Sequence, residues 1–132
     1  MTLVDSNILL DIVTRTPDWW QWSLEKLEDA ASNGPLVIND VVYAEVSTRY
    51  PSVDTIDSIL RDLRVDLVAM PRAALFLAGK AYLRYRTADG VRTGVLSDFL
   101  IGAHAAVERL PLLTRDVRRY RSYFPTVNLI AP

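Results

Sequence analysis

Four acidic residues carry the chemistry most legible in this sequence: Asp5, Glu45, Asp98 and Asp116. Asp5 directly follows the apolar run Leu3-Val4, and Asp116 comes shortly after Leu112-Leu113-Thr114. Parallel α/β sheets present their ligand sites at the carboxyl ends of strands. Glu45 and Asp98 fall on expected helices instead. Glu45 shares a helical face with Val41 and Val42, and an acid on an apolar stripe is costly unless something compensates for its lost hydration. Asp98 shares its face with Ile101, Gly102 and Ala105. A sheet with the first strand at its centre would bring all four carboxylates to one edge. Carboxylates gathered at one site repel each other and take up protons unless a cation holds them ionised. With no cysteine and a single histidine, oxygen ligands point to a hard ion, Mg²⁺ or Mn²⁺, rather than Zn²⁺. Such an ion activates water and stabilises the charge that develops in phosphodiester cleavage.

Each acid taken alone has a plainer account. Asp5-Ser6-Asn7 reads as a helix cap, and Asp98 as a complement to a helix dipole. Asp116 fits a turn before Arg118, and Glu45 fits an ion pair with an arginine. Only their joint placement points to a site.

The elements that must position them alternate between short β-rich runs and longer helical ones, the pattern of an α/β domain with a parallel sheet. Expected strands are Leu3-Val4, Leu36–Ile38, Asp66–Val68, Leu112-Leu113 and Val127–Ile130. Several are almost wholly apolar, as strands covered on both faces are. Helices are expected over 18–32, stopped by Asn33-Gly34-Pro35, over 40–49 with Asn39 as N-cap, and over 53–64 after Pro51-Ser52. A longer helix runs from Pro71 to about Arg86, a loop covers Thr87–Gly94, and Ser97 caps a helix over 98–109. Gly102, Ala103, Ala105 and Ala106 suit close packing of that last helix on the sheet. No linker or repeat divides residues 1–132, so one domain is expected.

Composition sets the outer bounds. The chain has 132 residues, half of them apolar, enough for a sizeable core. It has no run of the length a membrane span needs and no basic-then-apolar leader. A soluble, cytoplasmic protein is expected. The net charge is −1, but setting four acids aside for a metal leaves a balance of +3. Overall charge therefore does not exclude an anionic substrate.

In its motifs the chain resembles the PIN-domain family, and within it the toxin ribonucleases of the VapC type. The matching segments are Val4-Asp5-Ser6-Asn7, Val42-Tyr43-Ala44-Glu45-Val46, Ser97–Ala105 around Asp98, and Leu113-Thr114-Arg115-Asp116. The resemblance covers nearly the whole chain and implies a three-layer α/β/α fold with a five-stranded parallel sheet of order 3-2-1-4-5. It implies Mg²⁺-dependent endonucleolytic cleavage of RNA, with Mn²⁺ as a substitute. Asp5 and Asp98 would be the principal metal ligands, Asp116 would complete the acidic site, and Glu45 would hold the ion or orient the attacking water. Asn7 and Thr114 would position the carboxylates. The same resemblance implies a cognate antitoxin, a homodimer that can enter a larger complex with it, and growth arrest through inhibited translation.

Other residues invite functions and have plainer readings. His104 lies almost opposite Asp98 on its helix, so packing or surface is expected for it. Trp19, Trp20 and Trp22 suit core packing, an antitoxin groove or stacking on RNA bases. Arg115, Arg118, Arg119 and Arg121 surround Asp116, and Arg84, Arg86 and Arg92 flank the glycine-containing loop. Such runs are usually solvated faces, but beside an acidic site they are phosphate-positioning candidates, Arg115 first among them. Two other functions compete. A phosphoryl-transfer enzyme of the dehalogenase type wants a second Asp where Asn7 stands, and a lysine near the site. The only lysines, Lys26 and Lys80, fall within expected helices. A non-catalytic PIN-fold module acting through protein partners would leave the carboxylate repulsion uncompensated.

Overall fold

The computed structural model describes residues 1–88 and 95–132. Strand β1 (Thr2–Val4) lies at the centre of a five-stranded parallel sheet of order β3-β2-β1-β4-β5, as expected. It pairs on one side with β2 (Leu36–Ile38), Leu3 opposite Val37, and on the other with β4 (Leu112–Leu113), Leu3 opposite Leu112. β3 (Val65–Leu67) and β5 (Leu129–Ile130) form the edges. All residues of β1, β2 and β4 are buried, which explains their apolar sequences.

Around the sheet lie α1 (Ser6–Thr14), α2 (Trp20–Ala31), α3 (Asp40–Ser47), α4 (Val53–Leu63), α5 (Arg72–Ala88), α6 (Leu96–Glu108) and α7 (Arg118–Tyr123). Asn39 caps α3 through a bond from the Val42 N–H, 3.0 Å, and Ser52 caps α4 through Thr55. Gly34, at φ 143°, turns the chain into β2. Its neighbour Pro35 accepts the Thr2 N–H at 2.9 Å, joining that turn to β1. Phe99 on α6 is the hub of an aromatic cluster, with ring centroids 5.3 Å from Tyr85 on α5 and 5.2 Å from Tyr123 on α7.

Several expectations need correction. β3 begins at Val65, not Asp66, because the buried Val65 pairs with Leu36 while Asp66 is exposed. β5 is shorter than its apolar run, starting at Leu129. Ser97 does not cap α6: the helix already begins at Leu96 after Val95, and the Asp98 N–H donates to the Val95 carbonyl at 3.1 Å. Helix α7 was not expected at all, although Tyr120, Tyr123 and Phe124 follow helical spacing. Of the loop expected over Thr87–Gly94, Thr87 and Ala88 continue α5, while its remainder, with Arg92, lies outside the described residues.

Candidate active site

The end of β1 places Asp5 where the sheet meets three helices. Its N–H donates to the Leu113 carbonyl at 2.9 Å, so the residue is still held to β4. Its carboxylate is buried, 4 % exposed. Oδ1 accepts the Ser6 N–H at 2.7 Å and so caps α1. Oδ2 accepts two hydroxyls, from Thr114 and from Tyr120, each at 2.8 Å. Burial pushes the Asp5 carboxyl up to about 6; the donors Tyr120 and Thr114 oppose the shift, and the nearby Asp98 charge adds to it. The cap and the cluster are therefore the same side chain in two roles.

Ser6 is the junction to Glu45. Its hydroxyl lies 3.0 Å from Glu45 Oε1 and 3.4 Å from Asp5 Oδ1. With one proton to give, it donates over the shorter distance. Glu45 is half-buried on α3, and burial raises its carboxyl above the ordinary range. Ser6 opposes that rise, the Asp98 charge increases it, and Ser97 opposes it. Ser97 thus serves Glu45 where sequence suggested a helix cap.

Asp98, in the first turn of α6, faces Arg119 on α7, whose Nε and Nη2 reach its Oδ2 at 2.7 and 2.6 Å. Asp116 is exposed, and its Oδ1 accepts the Arg118 N–H at 3.3 Å, the turn that its sequence allowed. It joins the group through Thr114, whose Oγ1 accepts the Asp116 N–H at 3.1 Å while donating to Asp5. Asn7 Nδ2 donates to the same Thr114 oxygen at 3.3 Å, and Asn7 Oδ1 accepts the Arg115 N–H at 3.2 Å. Thr114 thus contacts Asp5 directly, and Asn7 reaches it through Thr114.

Tyr120 was not singled out in the sequence, yet its hydroxyl donates directly to Asp5. Burial raises its phenol well above the ordinary value, and the charges of Asp5, Asp98 and Glu45 all add to this. It therefore stays protonated and remains a donor to Asp5. Tyr120 reaches Asp5 directly, its neighbour Arg119 reaches Asp98, and Ser6 links Asp5 to Glu45. The signal for Tyr120 was the apolar spacing of α7, hidden among Arg118, Arg119 and Arg121.

Among the described residues no three acids are arranged ready to hold a metal ion. The donor chemistry nevertheless suits a hard cation: oxygen atoms only, mutually repelling, with Asp5 and Glu45 both shifted toward the neutral form by burial and by Asp98. The metal-free protein should show this in its pH dependence. Because Asp5 binds its proton more tightly folded than unfolded, its favourable contribution is complete below about pH 4 and lost as pH rises through about 6. The folded state should forfeit ~3 kcal/mol across that window, and Asp5→Asn should remove this component from urea titrations at pH 4.5 and 7.5.

The remaining candidates separate clearly. Arg115 grips the buried Asp11 with both ends of its fork, Nε to Oδ2 at 2.6 Å and Nη2 to Oδ1 at 2.8 Å. Ser23 donates to the same carboxylate at 2.8 Å, and the guanidinium lies 4.9 Å from the Trp19 ring centroid. Arg115→Ala would leave Asp11 buried without its counter-ion, so a loss of ~3 kcal/mol in denaturant-induced unfolding is expected. Trp22 packs half-buried on the core, and Trp20 lies beneath Arg15. His104 is buried, with Nδ1 3.1 Å from Asn39 Nδ2, and burial lowers its pKa. It accepts from the amide as a neutral core histidine.

The PIN domain model matches residues 2–124 of the chain. No curated protein matches it. Among solved structures, VapBC2 from Rickettsia felis bound to a promoter DNA fragment is similar, with 21 % identity, a TM-score of 0.70, and coverage of 98 % of this chain and 97 % of that one. VapBC from Salmonella typhimurium bound to DNA shares 16 % identity at a TM-score of 0.71, covering 99 % and 98 % of the two chains. VapBC-1 from nontypeable Haemophilus influenzae shares 19 % at 0.70, covering 98 % and 96 %.

Proposed function

Because the chain belongs to the PIN-domain family, we propose that it is a metal-dependent endoribonuclease, the toxin of a toxin–antitoxin pair. It would hydrolyse RNA phosphodiester bonds in the cytoplasm and so inhibit translation and growth. The observation that carries this reading is the convergence of Asp5 and Glu45 on Ser6, and of Asp5 and Asp98 on the consecutive α7 residues Tyr120 and Arg119.

In this reading Asp5 and Asp98 hold Mg²⁺, with Mn²⁺ able to replace it, and Glu45 and Asp116 complete the acidic set. The bound ion would lower the pKa of water and offset charge on the phosphate. Thr114 and Tyr120 keep both Asp5 Oδ2 lone pairs occupied, leaving its orientation fixed. Glu45, a half-buried carboxylate, is suited to accept a proton from the attacking water. Ser6 holds it in place for that role.

The similar solved structures are VapBC complexes, which supports a cognate antitoxin as partner. A homodimer, joined to the antitoxin in a larger complex, completes the proposed assembly. No described helix is long and apolar enough to cross a membrane. The test is incubation of antitoxin-free protein with total cellular RNA, with Mg²⁺, with Mn²⁺ or with a chelator, mapping new 5′ ends. Discrete metal-dependent cuts are expected. A folded protein that neither cuts nor gains stability from either ion would instead be a non-catalytic module acting through protein partners.

A further inference from the structure

We infer that Arg119 is a resident counter-ion of Asp98, displaced when a divalent cation enters, so that filling the site releases a guanidinium to the substrate phosphate. The inference rests on the proposed metal-dependent cleavage and adds a residue with two alternating partners.

Its basis is the difference between two arginines a single turn apart in the chain. Arg115 holds both oxygens of Asp11, a carboxylate that is 2 % exposed, and is covered by Trp19. That fork-on-fork arrangement is fixed in geometry. Arg119 instead brings both nitrogens to a single oxygen, Oδ2 of Asp98, and Oδ1 has no hydrogen-bond partner among the described residues. Here the side chains are 16 % and 26 % exposed. Arg115 is the more exposed arginine, at 29 %, so the contrast lies in the carboxylates: Asp98 is open to an incoming cation and held through one oxygen, whereas Asp11 is closed and held through both.

Position strengthens the contrast. Arg119 and Tyr120 are consecutive on α7 and reach two different proposed ligands, Asp98 and Asp5. Tyr120 anchors the helix, so Arg119 can change partner by its own torsions while α7 stays in place. The charge of Asp116 also acts on Arg119. Asp98 is turned to a cation the chain already supplies. Arg118 and Arg121 on the same helix are exposed and make no ion pair among the described residues.

The consequence is reciprocal coupling. Occupation by the metal releases Arg119, and a phosphate that attracts Arg119 clears Asp98 for the metal. Arg119 would then be a catalytic residue only while substrate is bound.

The experiment is a Mn²⁺ titration of the antitoxin-free full chain, read by calorimetry and by the shift in thermal midpoint. Wild type is compared with Arg119→Gln, Arg119→Met, Arg119→Lys and Arg121→Gln. Both neutral variants at Arg119 should lower the half-saturating Mn²⁺ concentration by about tenfold, while Arg119→Lys and Arg121→Gln stay near wild type. At saturating Mn²⁺ the neutral variants should nevertheless cut total RNA at least about tenfold more slowly. Half-saturation that is unchanged or raised in both neutral variants overturns the counter-ion role. Tighter binding with undiminished cutting overturns the transfer to phosphate. An absence of Mn²⁺ binding in wild type and every variant would instead overturn the cleavage reading on which the inference stands.

Discussion

Asp98→Asn should reduce metal-dependent RNA cleavage at least ~10³-fold, a loss of several kcal/mol of transition-state stabilisation, with the fold intact. The substitution keeps side-chain volume and leaves an amide oxygen for Arg119, and the site it alters is only half-buried. It removes one formal charge from a group in which that charge raises both Asp5 and Glu45. Both carboxyls should therefore move toward ordinary values, and a bound cation should lose a principal ligand. Single-turnover cleavage with 5′-end mapping, beside circular dichroism spectra, separates lost chemistry from lost folding. Wild-type cutting by a folded Asp98→Asn protein would remove Asp98 from the proposed ligands.

Gly102→Ala should destabilise the protein by about 2–3 kcal/mol, although alanine favours an isolated helix by about 1 kcal/mol over glycine. A Cβ at this position would overlap the ring of Phe124, meeting Cδ2 first and lying 2.6 Å from Cε2. Phe124 is 4 % exposed and has little room to withdraw. It immediately follows α7, so the strain falls on the element that carries Arg119 and Tyr120. Gly79→Ala is the control, because its Cβ would meet nothing within 4 Å. Chemical denaturation should show loss at Gly102 and a small gain at Gly79; equal effects at the two positions would mean that Phe124 yields easily.

The sheet order was legible because β1, β2 and β4 are short apolar runs buried on both faces. The edges were harder: β3 includes the exposed Asp66 and Leu67, and β5 is only half-buried, so their bounds are set by pairing more than by hydrophobicity. Of the site, sequence marked Asp5, Glu45 and Asp98, and in the structure the Asp98 charge acts on both of the others, which Ser6 links. Asp116 was marked too, but its exposed turn ties it to the group only through Thr114 and the arginines. The donors Ser6 and Tyr120 were not legible as site residues. Ser6 looked like part of a cap, and Tyr120 sat in an arginine-rich stretch whose helical spacing was easy to overlook. Arg115 drew attention as a phosphate contact, while its partner Asp11, distant in sequence, only became visible once α1 and the β4–α7 turn were adjacent.

The central strand sets an order of events for folding. Leu3 is flanked by Val37 and Leu112, so the middle of the sheet closes only after long stretches of intervening chain have been gathered. Such distant pairings slow folding, because loop closure must precede the contacts that reward it. The donors that meet at Asp5 are the Ser6 N–H and the Thr114 and Tyr120 hydroxyls, and thus come from both sides of that closure. A growing polypeptide that has not yet emitted α7 has no donor at Tyr120 and no cation at Arg119. The acidic cluster is therefore complete only once α7 has joined the sheet, and partly made chains would lack it.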